Sequence, residues 1–327
     1  MKKIAINGFG RIGRVLFRIL VSSKQYKVVA INDVASPRIL SHLLKYDSVH
    51  GVSPHSIDYT DHSIICNGKI THVSNCADIN MIDWKRHDVD VVFECTGLFK
   101  SRSDNLKHIN SGAKKVILSS VPSDHDIQMV VLGVNDSQID FSNQIISNAS
   151  CTTNCAAPMI KLINDFIGIK SAYVTTIHSY TSDQNLHDSI HADLRRARSA
   201  PNSIIPTTTG AAKALSYIFP KLEIGGCGIR VPVPNGSLID ITCVVDGHVS
   251  ADAINDMFKK ESDSHLRGIM SYNIDPIVSV DVMSSPYSCV FDSQLTYTMS
   301  NMIKVVGWYD NEYGYSSRLV DLLSKVH

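Results

Sequence analysis

The chain has 327 residues, 44% of them hydrophobic, with 31 basic and 31 acidic side chains and no net charge when histidine is neutral. That length fits two domains, each with its own core, and the charge balance argues against a polyanion-binding surface and so against a nucleic-acid partner. No apolar run approaches membrane-span length, and Met1-Lys2-Lys3 leads straight into Ile4-Ala5-Ile6 without a signal-type segment, so a cytoplasmic chain with no membrane partner is expected. The eight cysteines are scattered singly and form no Cys-x-x-Cys pair, which predicts free thiols, most of them packing residues, and no metal.

The first strand-like run, Ile4 to Asn7, opens into Gly8-Phe9-Gly10-Arg11-Ile12-Gly13-Arg14 and then the helix-like Val15 to Leu20. This G-x-G-x-x-G spacing between strand and helix is a dinucleotide-binding turn. Gly8 permits the turn, Gly10 lets backbone N–H groups approach a diphosphate, Gly13 brings helix onto strand, and the helix N-terminus adds positive potential. A second run, Val28 to Asn32, ends at Asp33, twenty residues past Gly13, where a carboxylate can accept from a ribose. Further runs at Val89–Glu94, Lys115–Leu118, Met129–Val134 and Gln144–Asn148 alternate with helical stretches. The rhythm is βαβ and predicts a doubly wound parallel sheet of Rossmann type, with Thr96-Gly97 and Ser119-Ser120 at its ligand-binding carboxyl edge.

After Asn148 the texture changes. Ser150-Cys151-Thr152-Thr153 begins a helix through Phe166, where the helix N-terminus favours thiolate and makes Cys151 a candidate nucleophile. Strands are expected at Ala172–His178, Ile229–Val233, Ser237–Val245, Ile277–Val282 and Ile303–Trp308, with a helix over Gly210–Tyr217 and another over Ser317–Val326. His178 closes a β-branched run, a rigid place to hold an imidazole against a thiol. The polar segment Ser179–Ser203 is too long for an idle loop in a compact protein. This half reads as an α+β catalytic domain on a largely antiparallel or mixed sheet. The division expected is 1–149 for dinucleotide binding, 150–311 for catalysis, and 312–327 as a C-terminal helix returning to the first domain.

Seven segments in order, Ile6–Arg14, Leu44–Gly51, Ser147–Cys155, His178–Thr181, Asp193–Arg198, Pro206–Lys213 and Trp308–Tyr315, make the chain resemble the phosphorylating glyceraldehyde-3-phosphate dehydrogenases of glycolysis from end to end. The resemblance implies oxidation of glyceraldehyde 3-phosphate with NAD and inorganic phosphate, through a hemithioacetal and a thioester on Cys151. His178 is implied as ion-pair partner of the thiolate and as general base. Thr181, Asp183, Arg196 and Arg230 are implied for the substrate phosphate, and Ser150, Thr152, Thr209 and Gly210 for the inorganic phosphate. For NAD it implies Gly8, Phe9, Gly10, Arg11 and Ile12 at the diphosphate, Asn7 also in the cofactor site, Asp33 at the ribose, and Thr96 and Ser119 along the groove. Asn311 is implied at the carboxamide, with Tyr315 nearby. A homotetramer is implied as well, with Ser179–Ser203 as its interface loop.

Three departures stand out against that family. Ser189-Ile190 precede His191 where NAD-specific members usually carry Leu-Pro, yet Asp33 would repel the 2′-phosphate of NADP. Asn75-Cys76-Ala77-Asp78 replaces a usual Arg-Asp-Pro near the adenine, and the stretch Pro220–Gly228 is shorter than usual. Two alternatives are weighed: a related erythrose-4-phosphate dehydrogenase, against which Thr208-Thr209-Gly210 argues, and a catalytically silent binding homologue, against which the retained Cys151, His178, Thr209, Arg230 and Asn311 argue.

Overall fold

The computed structural model describes residues 1–326. The chain divides into two compact units, one built from Met1–Val130, Gln138–Ala149 and the residues from Ser316 on, the other from Val131–Ser137 and Ser150–Tyr315.

The first unit contains strands β1 (Lys2–Asn7), β2 (Tyr26–Asn32), β3 (Tyr46–Asp47), β4 (Gly51–Val52), β5 (Ile57–Thr60), β6 (Ser63–Cys66), β7 (Lys69–Ser74), β8 (Val91–Glu94), β9 (Lys115–Leu118), β10 (Gln128–Met129) and β11 (Ile145–Ser147). Its helices are α1 (Arg11–Val21), α2 (Pro37–Lys45) and α3 (Arg102–Asn110). Nine strands form one sheet in the order β10-β11-β9-β8-β1-β2-β7-β6-β5. Pairing is parallel from β10 to β7 and antiparallel through β6 and β5, so a hairpin edge extends the parallel sheet. Ile4, Ile6, Val92, Phe93, Val116 and Ile117 are fully buried. Near-continuous apolar runs of this kind mark strands covered on both faces. Strand order reverses between β2 and β8 on either side of β1, which brings Asn7, Asn32 and Glu94 together at the carboxyl edge.

The second unit begins with α4 (Cys151–Ile167) and continues through β12 (Ile169–Ser179), β13 (Ile205–Thr207), α5 (Gly210–Ile218), β14 (Glu223–Val231), β15 (Ser237–Val245), α6 (Ala251–Asp263), β16 (Met270–Asn273), β17 (Cys289–Asp292), β18 (Tyr297–Met299) and β19 (Met302–Tyr309). The sheet runs β13-β14-β12-β15-β19-β17-β16, with β18 beside β19. β12 with β14 and β16 with β17 are parallel and the other pairs antiparallel, so the sheet is mixed. Along β15, Ser237, Ile239, Ile241, Cys243 and Val245 are buried in strict alternation, and α4 packs over β12, β15 and β19. The last helix, α7 (Tyr313–Leu322), starts four residues earlier than its apolar spacing predicts, because Asp310 Oδ1 accepts from the backbone N–H groups of Glu312 and Tyr313 and turns the chain there.

Two expected strands are corrected. Ile277–Val282 alternates like a strand, but Asp281 Oδ2 accepts from the Val278 N–H at 2.8 Å and the chain closes into a 3-10 turn over Ser279–Val282. Similarly, β10 stops at Met129, because the N–H groups of Val131 and Gly133 go to the side chains of Asn135 and Asp136 at 2.8 and 2.9 Å instead of a neighbouring strand.

Candidate active site

The nucleophile candidate sits where two local devices meet. Ala149 holds φ at +53°, a conformation strained for a residue with a Cβ, and its N–H goes to Ser147 Oγ. Ser150 then caps α4, its Oγ accepting from the Thr153 N–H at 3.1 Å. Cys151 is thereby the first residue of α4, within the positive end of the helix. Its Sγ lies 3.6 Å from His178 Nε2 at the end of β12.

His178 is 6% exposed and crowded on its other nitrogen. In the parallel register β12–β14, His178 stands opposite Arg230, and the guanidinium Nη1 approaches His178 Nδ1 to 2.6 Å while donating to the Ser179 carbonyl at 2.8 Å. Nδ1 is also 2.7 Å from that same carbonyl. One ring nitrogen cannot satisfy both neighbours. Without a proton it accepts from Arg230 and faces the carbonyl lone pairs; with one it donates to Ser179 and opposes the guanidinium N–H. Burial, and after it the Arg230 charge, lower the His178 pKa to about 3. Burial likewise raises the Cys151 thiol above its ordinary value, against a lowering influence of Arg230. Burial, and for His178 the Arg230 charge after it, thus shifts both groups toward their neutral forms in the free site.

Tyr309 is a residue that motif reading leaves without a role. Its buried hydroxyl bridges Thr152 Oγ1 at 3.0 Å and Thr176 Oγ1 at 2.8 Å, joining the start of α4 to β12. The ring also meets the His178 ring edge-on with centroids 5.9 Å apart. Tyr309 thus sets the spacing between the helix that carries the thiol and the strand that carries the imidazole. Asn311 is held close by, its Oδ1 accepting from the hydroxyls of Ser179 at 2.8 Å and Ser237 at 3.1 Å.

The residues implied for phosphate divide into those the structure ties together and those it places on separate elements. Arg196 donates to Asp183 Oδ2 at 2.6 Å, Thr207 Oγ1 at 3.0 Å and the Thr208 carbonyl at 3.1 Å. Asp183 is half exposed, so that ion pair contributes little and can be exchanged for another anion. Thr209 caps α5, Oγ1 accepting from the Ala211 N–H, and a Cβ on Gly210 would meet open space. α4 and α5 pack together, with Ser150 and Thr152 flanking Cys151 at the start of the former. The Thr181 N–H goes to Gln184 Oε1 at 3.3 Å, and among the described residues no hydrogen bond joins Thr181 to Arg196 or Arg230.

In the first unit, the glycine turn fits a diphosphate. Gly8 adopts φ +88° with no room for a side chain, since a Cβ would sit 2.7 Å from the Thr96 amide nitrogen. A Cβ on Gly13 would collide with the Gly8 carbonyl, whereas one on Gly10 would meet nothing within 4 Å. Gly10 therefore borders open space at the start of α1 and brings no side-chain acceptor to cap it. Asp33 Oδ2 receives the Phe9 N–H at 2.7 Å and so holds the turn itself, and Arg11, one residue before Ile12 in the first turn of α1, forms a two-pronged pair with Asp47. Ser119 donates through both N–H and Oγ to the Glu94 carbonyl, at 3.0 and 2.9 Å. Tyr315 is buried within α7.

Residues 2–102 match the family model described as glyceraldehyde 3-phosphate dehydrogenase, NAD binding domain, and residues 150–311 match that of the C-terminal domain of the same family. Among curated relatives, glyceraldehyde-3-phosphate dehydrogenase 2 of Bacillus subtilis (strain 168) is 45% identical, with 99% of this chain and 96% of the relative covered. Glyceraldehyde-3-phosphate dehydrogenase 2 of Streptomyces avermitilis is 47% identical over 98% and 97%, and glyceraldehyde-3-phosphate dehydrogenase of Mycobacterium avium is 46% identical over 99% and 98%. With both domains matched and nearly its full length shared with such relatives, the chain belongs to the glyceraldehyde 3-phosphate dehydrogenase family of NAD-dependent oxidoreductases.

Proposed function

We propose that this chain catalyses the phosphorylating oxidation of glyceraldehyde 3-phosphate to 1,3-bisphosphoglycerate, with Cys151 as nucleophile and His178 as base. The observation that carries the proposal is the 3.6 Å approach of Cys151 Sγ to His178 Nε2 at a helix N-terminus, with Arg230 pressed against the far side of the same ring. The names of the relatives favour glyceraldehyde 3-phosphate over erythrose 4-phosphate as substrate.

Arg230 gives the site a ligand-dependent resting state. A phosphate that draws the guanidinium away lets Nδ1–H donate to Ser179 and leaves Nε2 bare to take the thiol proton. Arg196 and Thr181 supply further donors for that anion, and Asp183 yields its place on Arg196. The thiolate then bonds to the aldehyde carbon, and the former carbonyl oxygen takes a proton from His178, with the Cys151 backbone N–H stabilising developing charge. His178 afterwards withdraws the hydroxyl proton as hydride leaves the same carbon, so a thioester remains on Cys151. A second phosphate, met by Ser150, Thr152, Thr209 and the open side of Gly210, attacks that carbonyl carbon, and the Cys151–carbon bond breaks to release an acyl phosphate.

NAD, when bound, supplies the hydride acceptor. The residues proposed to hold it are Asn7 to Ile12 at the diphosphate, Asp33, Thr96 and Ser119 along the adenosine, and Tyr315 with Asn311 at the nicotinamide. Because the Asn311 carbonyl oxygen already receives two hydroxyls, its amide N–H group is the one to offer a carboxamide. We further propose a cytoplasmic homotetramer. Among the described residues no helix is long and apolar enough to cross a membrane, and in the polar loop Leu186, Ile190 and Leu194 are 70%, 99% and 83% exposed, apolar surface that a second copy would cover.

The test is the initial rate of NADH formation from glyceraldehyde 3-phosphate, with and without inorganic phosphate, for wild type and Cys151→Ser. Turnover that needs both the thiol and phosphate supports the assignment. Activity independent of phosphate, or none in folded protein, would refute it.

A further inference from the structure

Behind the carboxyl edge of the first sheet lies a buried chain of hydrogen bonds that neither the glycine motif nor the catalytic chemistry uses. Glu94, at the end of β8 and 2% exposed, is its centre. Its Oε2 accepts from Asn7 Nδ2 at 2.6 Å and from His108 Nε2 at 3.1 Å. Its Oε1 accepts from the Thr96 N–H at 2.8 Å and from the Thr96 hydroxyl. Asn7 and Thr96 are two of the residues proposed to meet NAD.

The chain continues inward with a fixed direction. Trp84 Nε1 donates to His108 Nδ1 at 2.9 Å, and an indole N–H has no lone pair to accept with, so Nδ1 is bare and the imidazole proton sits on Nε2, aimed at Glu94. Trp84 in turn is locked among Ala5, Val29, Ile79, Val89 and Val92. On the other side Asn7 Oδ1 accepts from Asn32 Nδ2 at 2.8 Å, and Asn32 Oδ1 accepts from Ser74 Oγ and the Cys76 N–H at 2.8 and 3.0 Å. The ends of β8, β1, β2 and β7 are thus pinned by a single series of complementary donors and acceptors. Because Gly8 rests against the Thr96 amide with no space to spare, whatever fixes Thr96 also fixes the glycine turn.

We infer that Glu94, His108 and Trp84 are positioning residues for the cofactor: a relay in which the indole sets the imidazole tautomer, the imidazole orients the carboxylate, and the carboxylate holds Asn7 and Thr96 in their binding geometry. This rests on the reading that the β1 edge holds NAD. In His108→Leu both hydrogen bonds are lost, and Glu94 loses an orienting donor. In His108→Gln the amide nitrogen can still donate to Glu94 and the amide oxygen can accept from Trp84.

The experiment compares KM for NAD, KM for glyceraldehyde 3-phosphate and the rate of Cys151 alkylation by iodoacetamide in the full enzyme. His108→Leu is expected to raise KM for NAD about tenfold with the other two quantities changed less than about twofold, and His108→Gln to restore most of the loss. Trp84→Phe, which keeps an apolar aromatic side chain but removes the indole N–H, is expected to shift KM for NAD in the same direction. Nitrogen-15 NMR of wild type reads the tautomer whether or not a variant folds: a protonated Nε2 and bare Nδ1 at His108 support the relay, and the reverse overturns it. An unchanged KM for NAD in His108→Leu overturns it as well, provided Asn7→Ala does weaken NAD. If Asn7→Ala leaves NAD binding intact, the placement of the cofactor at this edge is what fails.

Discussion

The carboxyl edge of the first sheet and the Cys151 pocket are both buried and polar, yet they are satisfied to opposite degrees. Around Glu94 every donor named meets an acceptor, from Trp84 through His108 to Asn7, Asn32 and Ser74. Around His178, one ring nitrogen, one guanidinium and one carbonyl compete within 2.6 to 2.8 Å. A region with no unmet demand is preorganised and stiff. A region with conflicting demands can be relieved by a further group, and in the proposed reaction that group is an anion engaging Arg230. The contrast fits a cofactor edge that must stay in place and a reaction pocket that must change protonation state during turnover.

Substitutions can break that contrast on the reactive side first. Cys151→Ser is expected to lower turnover by about 10⁴-fold or more, because serine lacks the acidity to act as nucleophile beside a weakly basic imidazole; steady-state NADH formation checks it, and fold retention is checked by NAD binding. His178→Asn is expected to cost about 10²–10³-fold in kcat, with a smaller change in KM for NAD. Should KM for NAD rise as far as kcat falls, the two regions would not be separable in the way their hydrogen bonding suggests.

A third prediction concerns pH. The His178 pKa is about 3 in the fold against 6.5 in the unfolded chain, so below 6.5 the unfolded state takes up a proton that the native state refuses. Stability is then lost as pH falls from 6.5 toward 3, at up to about 1.4 kcal/mol per pH unit from this one group. Urea unfolding at pH 7 and pH 5 should show a steeper loss in wild type than in His178→Asn. Equal losses would mean that burial and the Arg230 charge do not hold the imidazole neutral.

The smallest effect is expected at Tyr309. Removing its hydroxyl in Tyr309→Phe leaves Thr152 and Thr176 to satisfy each other or water, costing about 1–2 kcal/mol of stability and a few-fold in kcat. Thermal melting and kcat measured together would show whether the tie between α4 and β12 matters more for stability than for catalysis.

Much of this site is legible in the sequence because its parts are local. The glycine turn needs only strand, spacing and helix, and Cys151 announces itself through Ser150 as cap. His178 closes a β-branched strand, which is again a local pattern. What sequence spacing hides are contacts made across the fold. Tyr309 reaches Thr152 over 157 positions and Thr176 over 133, and Trp84, Glu94 and His108 meet only once the sheet is assembled. The effect of Arg230 on His178 is invisible for the same reason, since it depends on the parallel register of β12 and β14. Local side-chain capping defeats periodicity in the other direction, as Asp281 does at Val278 and Asn135 at Val131.

The covalent mechanism is tested most directly by a rapid-mixing measurement of NADH formed from glyceraldehyde 3-phosphate in the absence of inorganic phosphate. One equivalent of NADH per Cys151, followed by a stall that added phosphate relieves, is the expected result. Steady turnover without phosphate, or no rapid phase at all, would contradict a thioester held on Cys151 until phosphate removes it.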